Sequence, residues 1–109
     1  NAKTAFNAAS AVLTKHCIDN PKLTAGANIT MAAGNLGTVP LGSINYDFTD
    51  YLAGWKGKAV AIVATTGTSV DKCWWNLDTA GAAPANFTKA TQEAQAKTGN
   101  VYGIYPAQS

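Results

Sequence analysis

A continuously apolar and β-branched stretch, KAVAIVATT, occupies residues 58–66. A strand covered on both faces has this composition, because neither of its sides meets water. Gly67 predicts a turn, and residues 69–78 then predict an antiparallel hairpin partner. The side chains predicted to point inward from that partner are Val70, Cys73, Trp75 and Leu77. The two segments together predict the centre of a β-sheet.

An amphipathic helix is predicted over residues 1–17, ahead of the sheet. Its polar residues recur at spacings of four, three and four, while alanines and larger apolar residues fill a wide arc. The polar residues are Lys3, Asn7, Ser10 and Thr14. Asn20 precedes Pro21, and a residue before proline avoids the helical region, so the helix is expected to end there.

Shorter elements complete the prediction. Residues 29–31 and 43–48 favour strands, residues 87–97 favour a short helix, and residues 100–105 favour a final strand. A helix that precedes all the strands in the chain indicates an α+β fold, with the helix packed on one face of a small antiparallel sheet. We expect a single domain over residues 1–109.

Composition narrows the classes of function. Only 13% of residues are charged, the net charge is +2, and all eight cations are lysines scattered along the chain. Because arginine is the preferred residue for phosphate and base recognition, specific nucleic-acid binding is not expected.

The sequence contains no phosphate-binding loop, zinc spacing or haem-attachment motif, so neither a cofactor nor a metal is expected. It also has no apolar run of 18 residues, so we expect no membrane span.

The two cysteines, Cys17 and Cys73, fit no zinc or redox spacing. One long-range disulfide is the natural interpretation, and it would imply an oxidising compartment. Two buried free thiols in a cytosolic protein are the alternative.

Candidate catalytic groups are sparse. His16, the single histidine, lies beside Cys17, but neighbours on a helix point about 100° apart and do not face each other. A histidine near the end of a helix that interacts with the last carbonyls is the more ordinary interpretation. Asp47 and Asp50 could in principle hold a cation or act as an acid/base pair, and solvated loop acids are the alternative.

The pair Trp74–Trp75 could form a stacking platform for a carbohydrate or nucleic acid. In a strand, the two side chains would face opposite sides of the sheet. One would then belong to the core, and the other would cover a helix, a loop or a neighbouring subunit. Asn28 and Asn86 begin glycosylation sequons, which is a weak signal because sequons are frequent by chance.

Residues 1–21, NAKTAFNAASAVLTKHCIDNP, resemble the globular part of type IV pilins. In that family a long N-terminal helix ends in turns rich in Ala, Asn and Thr. An Asp-Asn-Pro-like break, an irregular loop, a small antiparallel sheet and a C-terminal region that often carries a disulfide then follow. This chain is similar in order and composition over nearly its whole length.

The sequence departs from the family in two respects. The apolar N-terminal segment of about 25 residues is absent, and a Cys17–Cys73 bridge would differ from the common C-terminal pilin loop. Either the apolar helix has been cut off, or the chain is the globular partner in a split pilin that assembles with a separate helical chain. We favour the split form.

The resemblance implies a non-enzymatic structural subunit of a bacterial type IV pilus or pseudopilus filament, exported through the periplasm to the cell surface. Its partners would be other pilin subunits, in particular a separate N-terminal helical pilin chain. The helix would dock on the sheet and on that partner through an assembly interface. The residues expected to form it are Phe6, Ala9, Val12 and Leu13. The competing hypothesis is a secreted carbohydrate- or surface-binding module that uses Trp74 or Trp75.

Overall fold

The computed structural model describes residues 2–32, 34–77 and 102–106. The fold is α+β, as predicted, with an N-terminal helix and an antiparallel sheet. The elements are α1 (Ala2–Asp19), β1 (Asn28–Ala32), a short 3-10 helix (Leu36–Thr38), β2 (Val39–Leu41), β3 (Ile44–Tyr46), β4 (Lys58–Val63), β5 (Val70–Asn76) and β6 (Tyr102–Tyr105). The short helix predicted over residues 87–97 lies outside the described residues.

The main sheet has four strands in the order β1-β4-β5-β6, and every neighbouring pair is antiparallel. β4 and β5 form the predicted central hairpin, with Ala61 opposite Cys73. β1 lies on the other side of β4, where Thr30 is opposite Val60. β2 and β3 form a separate two-stranded ribbon, inserted in the chain between β1 and β4.

Helix α1 packs mainly on β5 and also contacts β4 and β6. Its inner face is built largely of alanines, and the facing positions of β4 are also alanines, namely Ala59 and Ala61. Small side chains on both surfaces let the two backbones approach closely. A Cβ added at Gly103 in β6 would lie 3.6 Å from the Cβ of Ala2, which is ordinary contact distance.

Larger apolar side chains complete this core. On the helix they are Val12 and Leu13, and on the sheet they include Ile29, Met31, Val63 and Trp75. A second apolar cluster lies on the opposite face of the sheet and contains Val60, Trp74 and Ile104. The predicted inward residues of β5 are therefore confirmed, except that Leu77 lies beyond the strand and is 46% exposed.

The end of α1 follows the prediction closely. The backbone amide of Asn20 donates to the carbonyl of His16 at 3.0 Å, and the Asn20 side-chain amide donates to the same oxygen at 3.1 Å. One side chain thus helps to satisfy a carbonyl that the end of the helix leaves without an intrahelical partner. Pro21 then prevents the next turn from forming.

Three of the four residues expected at the assembly interface pack on the sheet, as the predicted docking of α1 on the sheet requires. Ala9, Val12 and Leu13 are 0%, 3% and 0% exposed, because they pack on the sheet of the same chain. They are therefore occupied within the domain and do not present a surface to a partner. Phe6 is half-buried, and its ring meets that of Tyr105 edge-to-face with centroids 5.0 Å apart.

Replacing Leu13 with alanine should lower the free energy of unfolding by about 2–5 kcal/mol, because it leaves a cavity under a helix held by small side chains. Urea unfolding followed by tryptophan fluorescence measures this loss. Asn7→Ala is the matched control, since Asn7 is exposed on the same helix and its replacement should change stability by less than about 0.5 kcal/mol. A loss below about 1 kcal/mol for Leu13→Ala would contradict the described packing.

Candidate functional site

The predicted disulfide is wrong, because Cys17 and Cys73 are both free thiols and lie too far apart to bond. The thiol of Cys17 points to the turn of the β4–β5 hairpin, 4.0 Å from the carbonyl oxygen of Gly67. Cys73 lies three residues after Val70 in the strand. At 3.3 Å per residue, this separation places Cys73 about 10 Å beyond Val70. A disulfide needs Cβ atoms about 4 Å apart, which this placement does not provide.

The two thiols also differ in environment. Cys17 is half-buried, whereas Cys73 is fully buried beneath α1. Burial raises the pKa of the Cys73 thiol to about 12, so it remains protonated at neutral pH. Cys73 is therefore an apolar core side chain rather than a nucleophile. The argument from a disulfide to an oxidising compartment no longer applies.

The tryptophans do not form an exposed platform. Trp74 and Trp75 face opposite sides of the sheet, as predicted, and are 0% and 6% exposed. The indole nitrogen of Trp75 donates to the carbonyl of Lys56 at 2.8 Å. Trp55 is half-buried, and its indole nitrogen donates to the carbonyl of Gly57 at 3.0 Å. All three rings take part in the packing of the domain.

The two acids of the 47–50 loop, Asp47 and Asp50, are both exposed. The Asp47 carboxylate accepts hydrogen bonds from the hydroxyl and the backbone amide of Thr49, at 2.6 and 2.9 Å. The hydroxyl bond and then the amide bond hold the pKa of Asp47 below its usual value. This geometry is that of an Asx turn, which fits the interpretation of Asp47 and Asp50 as loop acids.

His16 is 4% exposed and lies in the last turn of α1, on its buried face. Its Nδ1 is 2.6 Å from the hydroxyl oxygen of Tyr46 in β3, and the two rings meet edge-to-face with centroids 5.7 Å apart. Cys17 points instead to Gly67, so the conceivable Cys–His pair is not formed. Sequence reasoning missed the His16–Tyr46 pair, although His16 lies three residues after buried Leu13 and shares its face.

The imidazole of His16 lies beside an open cleft of about 330 Å³. One wall is the loop that follows α1, and the other is the β2–β3 ribbon with its turn. We call this the His16 cleft. It is lined by His16, Asn20, Pro21, Lys22, Leu23, Thr24, Ala27, Asn28, Leu41, Gly42, Ser43 and Ile44. Its volume is at the lower end of the range for small-molecule sites.

Backbone hydrogen bonds hold the first wall in place. The amide of Leu23 donates to the carbonyl of Gly67 at 2.9 Å, and the amide of Gly26 donates to the carbonyl of Val63 at 2.8 Å. Gly67 has φ +72°, and a Cβ there would lie 2.3 Å from the carbonyl oxygen of Leu23. The close approach between loop and hairpin therefore requires glycine.

The outer face of α1 is a second candidate surface. It is an arc of about 120° opposite the buried alanines. We define it by Thr4, Asn7, Ala11, Thr14, Lys15 and Ile18, all exposed except half-buried Ala11. Ile18 lies near the middle of this arc and is 74% exposed. A single exposed apolar side chain is common on protein surfaces, so Ile18 marks this face as a candidate contact surface and no more.

Within the described part of the chain, no group of three or more His, Cys, Asp or Glu side chains could hold a metal ion. In the same residues, no helix has both the length and the apolar character needed to cross a bilayer. The chain matches no protein-family model, no curated protein and no solved structure.

Replacing Gly67 with alanine should destabilise the domain more than the same change at Gly54. Both residues have positive φ, +72° and +70°, so both variants carry the cost of a left-handed alanine, about 1–2 kcal/mol. A Cβ at Gly54 meets open space, whereas at Gly67 it collides with the backbone of Leu23. Urea unfolding measures the loss of unfolding free energy in each variant, and the difference between the two losses is the cost of the collision at Gly67. Equal losses would show that the loop does not pack on the hairpin as described.

Proposed function

We propose that the chain is the surface-exposed globular part of a type IV pilus or pseudopilus subunit, and that it packs on a separate helical pilin chain. The observation that supports this proposal best is the two-faced helix α1. Its alanine-lined face is occupied by the sheet of the same chain, while its outer face is exposed and carries Ile18.

The proposal places the partner on the outer face of α1. The outer face has mostly short side chains, which allow a second helix to approach closely. Lys15 at the margin of the outer face and Lys3 beside it are long and flexible, and they can lie along an apolar partner while their charges reach water. Ala9, Val12 and Leu13 are replaced in this role by the outer face, because they are buried against the sheet.

Assembly through the edge of the sheet is less favourable at β1. The side-chain oxygen of Asn35 accepts from the amide of Ala32 at 2.8 Å, and its nitrogen donates to the carbonyl of Thr30 at 3.2 Å. Asn35 thus occupies backbone groups of this edge strand that an added strand would need. Because added strands are disfavoured at the β1 edge, this edge is consistent with a filament that grows by packing of helices.

A structural role also agrees with the placement of the reactive groups. The side chain of His16 is hydrogen-bonded to Tyr46, and that of Asp47 is hydrogen-bonded to Thr49. The thiol of Cys73 is buried and protonated. We propose that the chain acts at the bacterial cell surface, after export through the periplasm. This location rests on the resemblance to pilins, since the free thiols give it no support. With its three tryptophans packed in the domain, the carbohydrate-binding alternative loses its platform.

Ile18→Lys should keep the wild-type melting temperature, because the side chain is exposed, yet reduce incorporation into surface filaments about tenfold, as loss of an interface anchor does. The measurement is intact-mass quantification of the chain in the sheared surface fraction of cells that produce it. Leu77→Lys is the matched control, since Leu77 is an exposed apolar residue that follows β5 and does not belong to α1.

Two outcomes would contradict the proposal in different ways. Recovery of the wild-type chain only as a monomer outside the sheared fraction would exclude a filament subunit. Equal incorporation of Ile18→Lys and wild type would leave the filament role intact and remove the outer face of α1 as its contact surface.

A further inference from the structure

We infer that the His16 cleft is a binding site for a small organic carboxylate, a role separate from filament assembly. The inference rests on three features of the cleft: a buried imidazole beside it, a lysine with no acid among the lining residues, and apolar walls that can hold a short hydrocarbon body.

The imidazole supplies an oriented polar group. His16 is more than nine-tenths buried, and the hydroxyl of Tyr46 occupies its Nδ1. Tyr46 does not line the cleft, whereas His16 does. Among the described residues, Nε2 has no hydrogen-bond partner. When the Tyr46 hydroxyl donates to Nδ1, the neutral ring must carry its proton on Nε2, which makes Nε2 a donor available to a ligand.

The charge of the cleft favours an anion. The structure describes all twelve residues that line the cleft. Among these twelve, Lys22 carries a charge and none is acidic. The helix-terminal carbonyl of His16 would repel an anion, but it already accepts two hydrogen bonds from Asn20. The hydroxyl of Ser43, in the turn of the β2–β3 ribbon, is a further donor on the opposite wall.

The remaining lining residues select the body of the ligand. Leu23, Leu41 and Ile44 supply aliphatic surface, and no Phe, Tyr or Trp ring on which a sugar could stack is among the lining residues. A carboxylate on a short aliphatic chain therefore fits better than a sugar. The wall that carries Lys22 and Leu23 is anchored to Gly67 and Val63, so the site is largely formed before a ligand arrives.

Titration with butyrate, followed by NMR of the imidazole, tests this assignment in the full chain. His16 is the single histidine, so its ring signals are unambiguous. We expect butyrate to shift the ring ¹⁵N and Hε1 signals saturably, together with the amides of Gly42 and Ser43. Butyramide has nearly the same shape without the charge, and it should give no saturable shift.

Lys22→Gln should weaken butyrate binding about three- to fivefold, as expected for loss of an exposed ion pair. Lys56→Gln is the matched control, because Lys56 is exposed and does not line the cleft, and it should bind as wild type does. Both lysines are exposed, so neither variant should unfold the domain.

Tyr46 is a positioning residue in this account. Tyr46→Phe should move the imidazole ¹⁵N shifts toward a mixture of tautomers and weaken butyrate binding, while the amide spectrum keeps the dispersion of a folded chain. The inference is overturned if butyrate gives no saturable shift, if butyramide shifts the same signals equally, or if Lys22→Gln binds butyrate as tightly as Lys56→Gln does.

Discussion

The close contact between the alanine face of α1 and the β4–β5 hairpin is the constraint on which the rest of the structure depends. Ala5 and Ala9 on the helix and Ala59 and Ala61 on β4 are all 0% exposed. Small residues bury little area each, so this contact gains its stability from proximity and from the larger side chains around it. The same proximity leaves no room for a partner between helix and sheet.

The contact also sets the position of the cleft. Because α1 is held against the sheet up to Leu13, its last turn carries His16 toward the β2–β3 ribbon and Tyr46. Asn20 ends the helix at that point, and the following loop turns back to contact Gly67. A structural helix and a small binding site are therefore built from one element, with the anchored loop as the connection between them.

Much of the architecture could be predicted from the sequence, because α1 has a clear helical period and a proline stop, and β4 is a continuous β-branched run followed by a turn. The β2 strand could not be predicted, since Pro40 at its centre argues against a strand and the ribbon depends on pairing with β3. The bounds of β1 were confirmed to within one residue at each end.

The site was less predictable than the fold, for a physical reason. Composition suggested that Cys17 and Cys73 would pair, but the register of the helix on the hairpin places one thiol at the turn and the other within the strand. Likewise, the apolar arc of α1 identified Ala9, Val12 and Leu13 as contact residues without showing which surface they would contact. The His16–Tyr46 pair joins residues thirty positions apart, and local patterns carry no information about such a contact.

Native-state hydrogen exchange at single-amide resolution tests the central claim most directly, namely that α1 is an integral part of the domain. If the helix and the hairpin form one cooperative unit, the slowest amides of α1 and those of β4 and β5 will exchange with the same free energy of opening, equal to that of global unfolding. If the amides of α1 open at a clearly lower free energy than those of β4 and β5, the sheet stands without the helix, and the account given for both the assembly surface and the cleft is contradicted.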